Sequence, residues 1–320
     1  MLVPAKPSWL RIIAYTRGTP IRDVWRRWLV VTSTALVITY MEVQLDFFHL
    51  ELTIVPFSLV GLALSIFLGF RNNASYDRFW EGRKLWGRLV NNSRTMAREH
   101  EQLIGIIPTR DGGDANAATD EEIREIRRQL TYTVMGYVHA LRLRLREQTQ
   151  IDELEPFLEP ALMARLETSH NRPITILEDL GVRYRELWER GLVHVMHLPR
   201  LERCLEINAD VQGGCERILK TPVPFAYTVL LHRIVAVYCF MLPFGLVQSL
   251  GMVTPAVVAF VAYAFLGLDA LGDSLEEPFG FDDGDLPLSQ LSRMIEINLR
   301  QTLGETDLPD PITATGDVLP

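Results

Sequence analysis

His194 and His197, in the tetrapeptide HVMH, stand three residues apart, which puts two imidazoles on one face of a predicted helix where they could share a metal ion. No third ligand of obvious spacing lies nearby, and a surface or interface pair is the plainer reading. Cys204, Cys215 and Cys239 are far apart, without C-x-x-C spacing, so neither a zinc knuckle nor a disulfide framework is suggested, and a reducing compartment fits. The signatures G-x-x-x-x-G-K-[ST], G-x-G-x-x-G, H-E-x-x-H and G-x-S-x-G are all missing. Enzymatic chemistry has no anchor here, and no cofactor is indicated.

Stripping an ion of its water is a chemistry open to residues 61–70. Gly61, Ser65 and Gly69 recur every four residues, a row of small side chains that lets a neighbouring helix come close. Beside it run Leu62, Ile66 and Phe70, a row of larger apolar side chains. Apolar rings can gate a pore by dewetting; a helix that is apolar all round and turns this row to lipid explains the same pattern. FRNNASYDRFWEGRKLWGRLVNNSR follows at once. Its Arg71, Arg78, Arg83 and Lys84, with Trp80 and Trp86, could be interface anchors, but the density of Asn, Tyr, Asp and Arg exceeds that need. Asp269, Asp273 and Glu276 or Glu277 recur at helical spacing and are natural partners for these bases if their helices are neighbours. Desolvated pairs of this kind hold geometry more than they add stability.

The elements that must carry these residues are four apolar windows in a 320-residue chain whose 22% of charged residues is strongly segregated. They run about Trp28 to Val43, Val55 to Phe70, Phe225 to Leu250 (interrupted by His232 and Arg233) and Thr254 to Leu271. A spanning helix needs about 20 mainly apolar residues. The first two windows are slightly short, which leaves a soluble hydrophobic hairpin as the alternative. Loop charges oppose that reading. Arg11, Arg17, Arg22, Arg26 and Arg27 precede the first window, and Arg71, Arg78, Arg83, Lys84 and Arg88 follow the second, whereas Gln44 to Ile54 and Gln248 to Val253 contain no Lys or Arg. The positive-inside rule then places the N-terminus, the region after Phe70 and the C-terminus in the cytoplasm. The first window follows a long basic stretch without a small-residue cleavage site and reads as a retained signal-anchor. Net charge is −8, but the acidity belongs to Ala264–Pro320, with twelve acids against two bases, and no concentrated basic face suits nucleic acid.

Between the second and third windows the chain reads as helical. The second helix continues without a breaker to Ile107, Pro108 to Thr119 is a loop, and Thr119 with Glu122 is a capping box opening a helix to about Gln148. Further helices are predicted near Asp152 to Glu167, Pro173 to Val195 and Pro199 to Leu219, with almost no strand. After the fourth window come an acidic turn, a helix near Ser289 to Leu303, and a disordered tail.

FRNNASYDRFWEGRKLWG resembles the signature of the bestrophin family in its bacterial branch. The resemblance continues through QGGCERILKTPVPFAYTVLLHR (Gln212 to Arg233), the Leu242-Pro243-Phe244 interruption of the third span and EEPFGFDDGDLPL (Glu276 to Leu288), covering nearly the whole chain in order. It implies an all-α homopentamer with four membrane helices per subunit around a central pore, above a large helical cytoplasmic domain. On the family pattern Leu62, Ile66 and Phe70 match the three apolar neck positions, and Met196 a second constriction at the cytoplasmic exit. Animal members carry a calcium clasp. Here Asp282 and Asp285 match two of its acids, Phe281 and Gly284 interrupt the run, and Glu277 replaces an amide. Calcium wants six to eight oxygens, so the run also reads as an acidic turn locking the C-terminal helix to the N-terminal basic segment.

The sequence thus divides into 1–70, a basic segment and two membrane helices; 71–223, a cytoplasmic helical domain; 224–272, two further membrane helices; and 273–320, acidic turn, helix and tail. The expected function is passive conduction of small ions across the inner membrane, anions such as chloride by family default. Expected partners are inorganic ions, the lipid bilayer and further copies of the chain. Neutral neck residues and an acidic C-terminal belt leave a monovalent-cation channel as the alternative. A secondary transporter would show related halves with broken helices, and a non-conducting scaffold would leave liposomes tight.

Overall fold

The computed structural model describes residues 9, 18–19, 21–45, 53–106 and 118–314. Among them run nine α-helices: α1 (Ile21–Leu45), α2 (Ile54–Leu103), α3 (Asp120–Leu145), α4 (Pro160–Thr168), α5 (Arg172–Glu189), α6 (Leu198–Lys220), α7 (Phe225–Leu250), α8 (Thr254–Glu276) and α9 (Leu288–Thr302). No strand forms among the described residues beyond an isolated bridge between Ile104 and Val193.

Three helical stretches are long and apolar enough to cross a bilayer: Arg22–Leu45, part of Ile54–Leu103, and Phe225–Glu276. The last doubles back through the short turn Gly251–Val253, where Gly251 holds a φ of +52°, which favours a residue without Cβ. Helix α7 passes through Pro243 without breaking, although the sequence reads as interrupted there.

Two cores form, and α2 passes through both. Val31, Ala35, Leu64, Leu68, Val235, Leu242, Val258 and Ala262 pack α1, α7 and α8 against the front of α2. Trp86, Leu89, Met96, Tyr137, Leu141, Tyr184, Leu201 and Ile295 pack α3, α5, α6 and α9 against its rear. With 50 residues, α2 is about 75 Å long at about 1.5 Å per residue. Its buried positions run Gly61, Leu64, Leu68, Arg71, Ser75, then Gly82, Trp86, Leu89, Ser93, Met96 and His100. That three-and-four spacing is a seam of period 3.5, the pattern that keeps one face of a long helix against its neighbours. Several seam residues are polar or lack a side chain, so hydrophobic periodicity alone does not reveal it.

Local signals explain most boundaries. The Thr119 hydroxyl accepts from the Glu122 N–H at 3.2 Å and opens α3. Helix α1 begins at Ile21, ahead of the apolar window, so Arg22, Arg26 and Arg27 lie in its first turns. The helix predicted from Asp152 to Glu167 divides into a turn at Asp152–Leu154 and α4, which takes Pro160 at its first position, where proline's missing N–H costs nothing. The expected disordered tail is pinned at its start: the Tyr132 hydroxyl donates to Glu305 at 2.7 Å. Most of the predicted Pro108–Thr119 loop, most of the Gln44–Ile54 connection and most of the N-terminal basic segment lie outside the described residues.

Candidate functional site

The apolar row stands out from the protein. Leu62, Ile66 and Phe70 are 64%, 50% and 64% exposed, on the face of α2 opposite its buried seam. The row of small residues beside it divides. Gly61 is buried against α7, where a Cβ would lie 2.6 Å from the Tyr238 hydroxyl. Ser65 turns its hydroxyl back to the Gly61 carbonyl at 2.7 Å. Gly69 meets nothing within 4 Å, so the close approach expected of it is not made inside this chain.

One residue beyond Phe70, Arg71 is 1% exposed. Its guanidinium donates to the Asp269 carboxylate at 2.8 Å and carbonyl at 3.2 Å, and also to Asp273. His232, across on α7, meets the second oxygen of Asp269 at 2.5 Å. Asn72 donates to the Leu268 carbonyl at 3.0 Å. A buried charge must be paired and hydrogen-bonded to be tolerable; two carboxylates, an imidazole and a carbonyl serve that need. The sequence anticipates the partnership of Arg71 with Asp269 and Asp273 from helical spacing. It gives no sign of His232 as a member, because that residue reads only as a break in an apolar run. Arg78 bonds backbone instead, donating to the Glu276 carbonyl at 3.0 Å and the Ile218 carbonyl at 2.6 Å, which ties α2 to the ends of α6 and α8.

HVMH is not helical. The stretch from His194 to His197 is a turn that closes onto α6, with His197 at its N-cap position. The Met196 N–H donates to Nδ1 of His194 at 3.2 Å, which leaves the proton of that ring on Nε2. The two imidazoles stand 5.7 Å apart between centroids, and no group of three or more His, Cys, Asp or Glu side chains suited to a metal occurs among the described residues. Met196 is 75% exposed at the tip of this turn. The turn is fixed to the far end of α2, because the Gly105 N–H donates to the Leu192 carbonyl at 2.9 Å beside the Ile104–Val193 bridge.

In the acidic turn, Asp285 is buried and accepts from the Asp282 N–H at 2.8 Å. Burial pushes its carboxyl up to about 6. Glu277 and Asp282 are exposed instead of converging on it. The Arg146 guanidinium lies 4.5 Å over the exposed Phe281 ring, and the buried Phe279 packs under Gly82 of α2. The contact foreseen between this turn and the N-terminal basic segment lies outside the described residues.

The family model described as bacterial and fungal bestrophin protein matches residues 1–301. A protein of Ralstonia nicotianae named as voltage-dependent anion channel-forming is 39% identical over the full length of both chains. One of the same name from Escherichia coli K12 is 35% identical, covering 98% of this chain and 97% of its own. The crystal structure of a bacterial bestrophin homolog from Klebsiella pneumoniae is 33% identical and superposes with a TM-score of 0.79 over 88% of this chain and 99% of that one.

Proposed function

This membrane protein belongs to the bacterial and fungal bestrophin family, and from that premise we propose that it assembles as a homopentameric channel passing anions passively, without enzymatic activity. The observation that carries the reading is the exposed row of Leu62, Ile66 and Phe70 opposite the seam of α2. Five copies would stack three apolar rings about 6 Å apart, four residues at about 1.5 Å each. Such a tube holds water poorly and makes an ion shed hydration with little in exchange. Met196, exposed on a turn bridged to the other end of the same helix, forms the second constriction. Anion conduction follows the names of the two relatives aligned over nearly the whole chain.

The cation alternative rested on acidic residues reaching the pathway. Asp269 is buried, paired with Arg71 and hydrogen-bonded to His232, so it offers the pathway little. Calcium is not required in this reading, since the Asp285 carboxylate is held by the backbone of its own turn. The channel lies in the inner membrane with both termini in the cytoplasm, and the rear of α2 with α3–α6 and α9 forms a cytoplasmic domain.

Reversal potentials in planar bilayers under a KCl gradient test the reading. The sign for chloride is expected, together with increased single-channel conductance in Ile66→Ala and Phe70→Ala. A barrier lowered by about 1.4 kcal/mol is a tenfold rise. Wild-type conductance in both variants would remove the neck from this account.

A further inference from the structure

Arg233 is the only lysine or arginine between Val223 and Ala264. It sits on a stretch apolar enough to cross a bilayer, and its side chain is exposed with no hydrogen bond or ion pair to any described residue. The two other basic side chains nearby have partners, Arg71 in Asp269 and Asp273, His232 in Asp269. An unpaired charge within a membrane layer is costly and marks a functional site by default.

Its depth can be read from the antiparallel packing of α2 on α7. Phe57 meets Gly245, Gly61 meets Tyr238, and the Tyr227 hydroxyl donates to the Phe67 carbonyl at 3.2 Å. Interpolated between these pairs, the Arg233 backbone is level with Ala63 and Leu64, between Leu62 and Ile66 of the apolar row. Laterally, Arg233 borders an apolar cavity of about 400 Å³ with Pro56, Phe57, Val60 and Val237. Pro56 and Val60 lie on α2 roughly a third of a turn from the Leu62–Ile66–Phe70 face. Arg233 therefore flanks that face towards its Leu62 end.

We propose that Arg233 sets the sign of the permeating ion. The inference rests on the neck and fivefold assembly proposed above. The three neck side chains are neutral and express no preference of their own. Five guanidinium groups ringing them from the flanks hold a dry tube at positive potential, and low dielectric with little mobile salt lets that potential act without contact. Anions then enter and cations are repelled.

The test uses the full chain reconstituted in planar bilayers under a KCl gradient, with assembly checked by cross-linking. Wild type, Arg233→Lys, Arg233→Gln and Ile66→Ala are compared. The chloride-over-potassium permeability ratio is expected to fall roughly tenfold in Arg233→Gln, the scale of one unscreened charge per subunit, and to persist in Arg233→Lys. An unchanged ratio in Arg233→Gln, with altered conductance in Ile66→Ala, overturns the role of Arg233 and leaves the neck standing: the side chain then snorkels to headgroups. Wild-type behaviour in both variants removes the neck, and this inference with it. A wild-type channel that prefers potassium overturns it at once. If Arg233→Gln does not assemble, Arg233→Met keeps the apolar stem and is read the same way; failure of both to assemble makes Arg233 an interface residue and defeats the proposal.

Discussion

Phe70 and Arg71 are neighbours in sequence with opposite fates, one 64% exposed and the other 1%. The seam of α2 passes through Arg71, so an arginine must be buried and two aspartates must meet it. Asp269→Asn removes the central partner. Breaking a buried pair costs about 3–5 kcal/mol, so a marked loss of thermal stability in detergent is expected; an unchanged melting temperature contradicts the pairing. His100 makes a different case, well away from the apolar windows. It is fully buried between the Thr131 and Tyr184 hydroxyls, at 3.0 and 2.6 Å, and burial lowers its pKa from 6.5 to about 3. The folded state thus binds this proton less readily than the unfolded chain, so the contribution is complete above pH 6.5 and is lost as pH falls towards 3. At pH 5 the loss is about 2 kcal/mol, at about 1.4 kcal/mol per unit. Asp285, raised by burial, contributes with the opposite sign: its share is complete below the ordinary aspartate range and is lost as pH rises through about 6. The measurement is therefore the difference between wild type and His100→Gln in melting temperature at pH 5 and pH 8. Equal pH slopes in the two proteins rule the effect out.

At the scale of the element, α2 is one rigid object that carries an apolar row near one end and is bridged at the other to the turn bearing Met196. Its two glycines on the small-residue row give a contrast. A Cβ at Gly61 would strike the Tyr238 hydroxyl, while one at Gly69 meets only open space. Overpacking typically costs about 1–3 kcal/mol. Gly61→Leu is expected to lower the stability of the protomer itself, and Gly69→Leu to leave it intact and act only on assembly, where a neighbouring chain comes close. Melting curves at high detergent, set against cross-linking yields in lipid, separate the two. A protomer equally damaged by both substitutions refutes the contrast.

For the whole molecule, the arrangement in the membrane is the claim to test. Cysteines placed in Gln44–Ile54 and Gln248–Val253 are expected to label from outside, and those in Asp111–Ala118 not to. The native thiols interfere little: all three are buried, and burial pushes Cys204 and Cys215 up to about 12. Outside labelling at Asp111 inverts the topology. The sequence alone carried the four apolar windows, the asymmetry of loop charge and the cap at Thr119, because transfer into lipid, the positive-inside bias and an N-cap hydrogen bond each depend on residues close together in the chain. It also carried the partnership of Arg71 with Asp269, since both sit at the ends of legible apolar windows. Other features needed the tertiary structure. The turn at His194–His197 reads as helix by pattern, but α5 has already ended at Glu189, with Gly191 at a φ of +74°, and the bridge from Ile104 to Val193 holds the chain that follows out of a helix. His232 joins Asp269 because α7 and α8 fold back at Gly251. The seam of α2 escapes any hydrophobic pattern because Arg71, Ser75, Gly82 and His100 occupy it. What lies against a residue across the fold decides whether a polar side chain is buried, and spacing along the chain does not encode that.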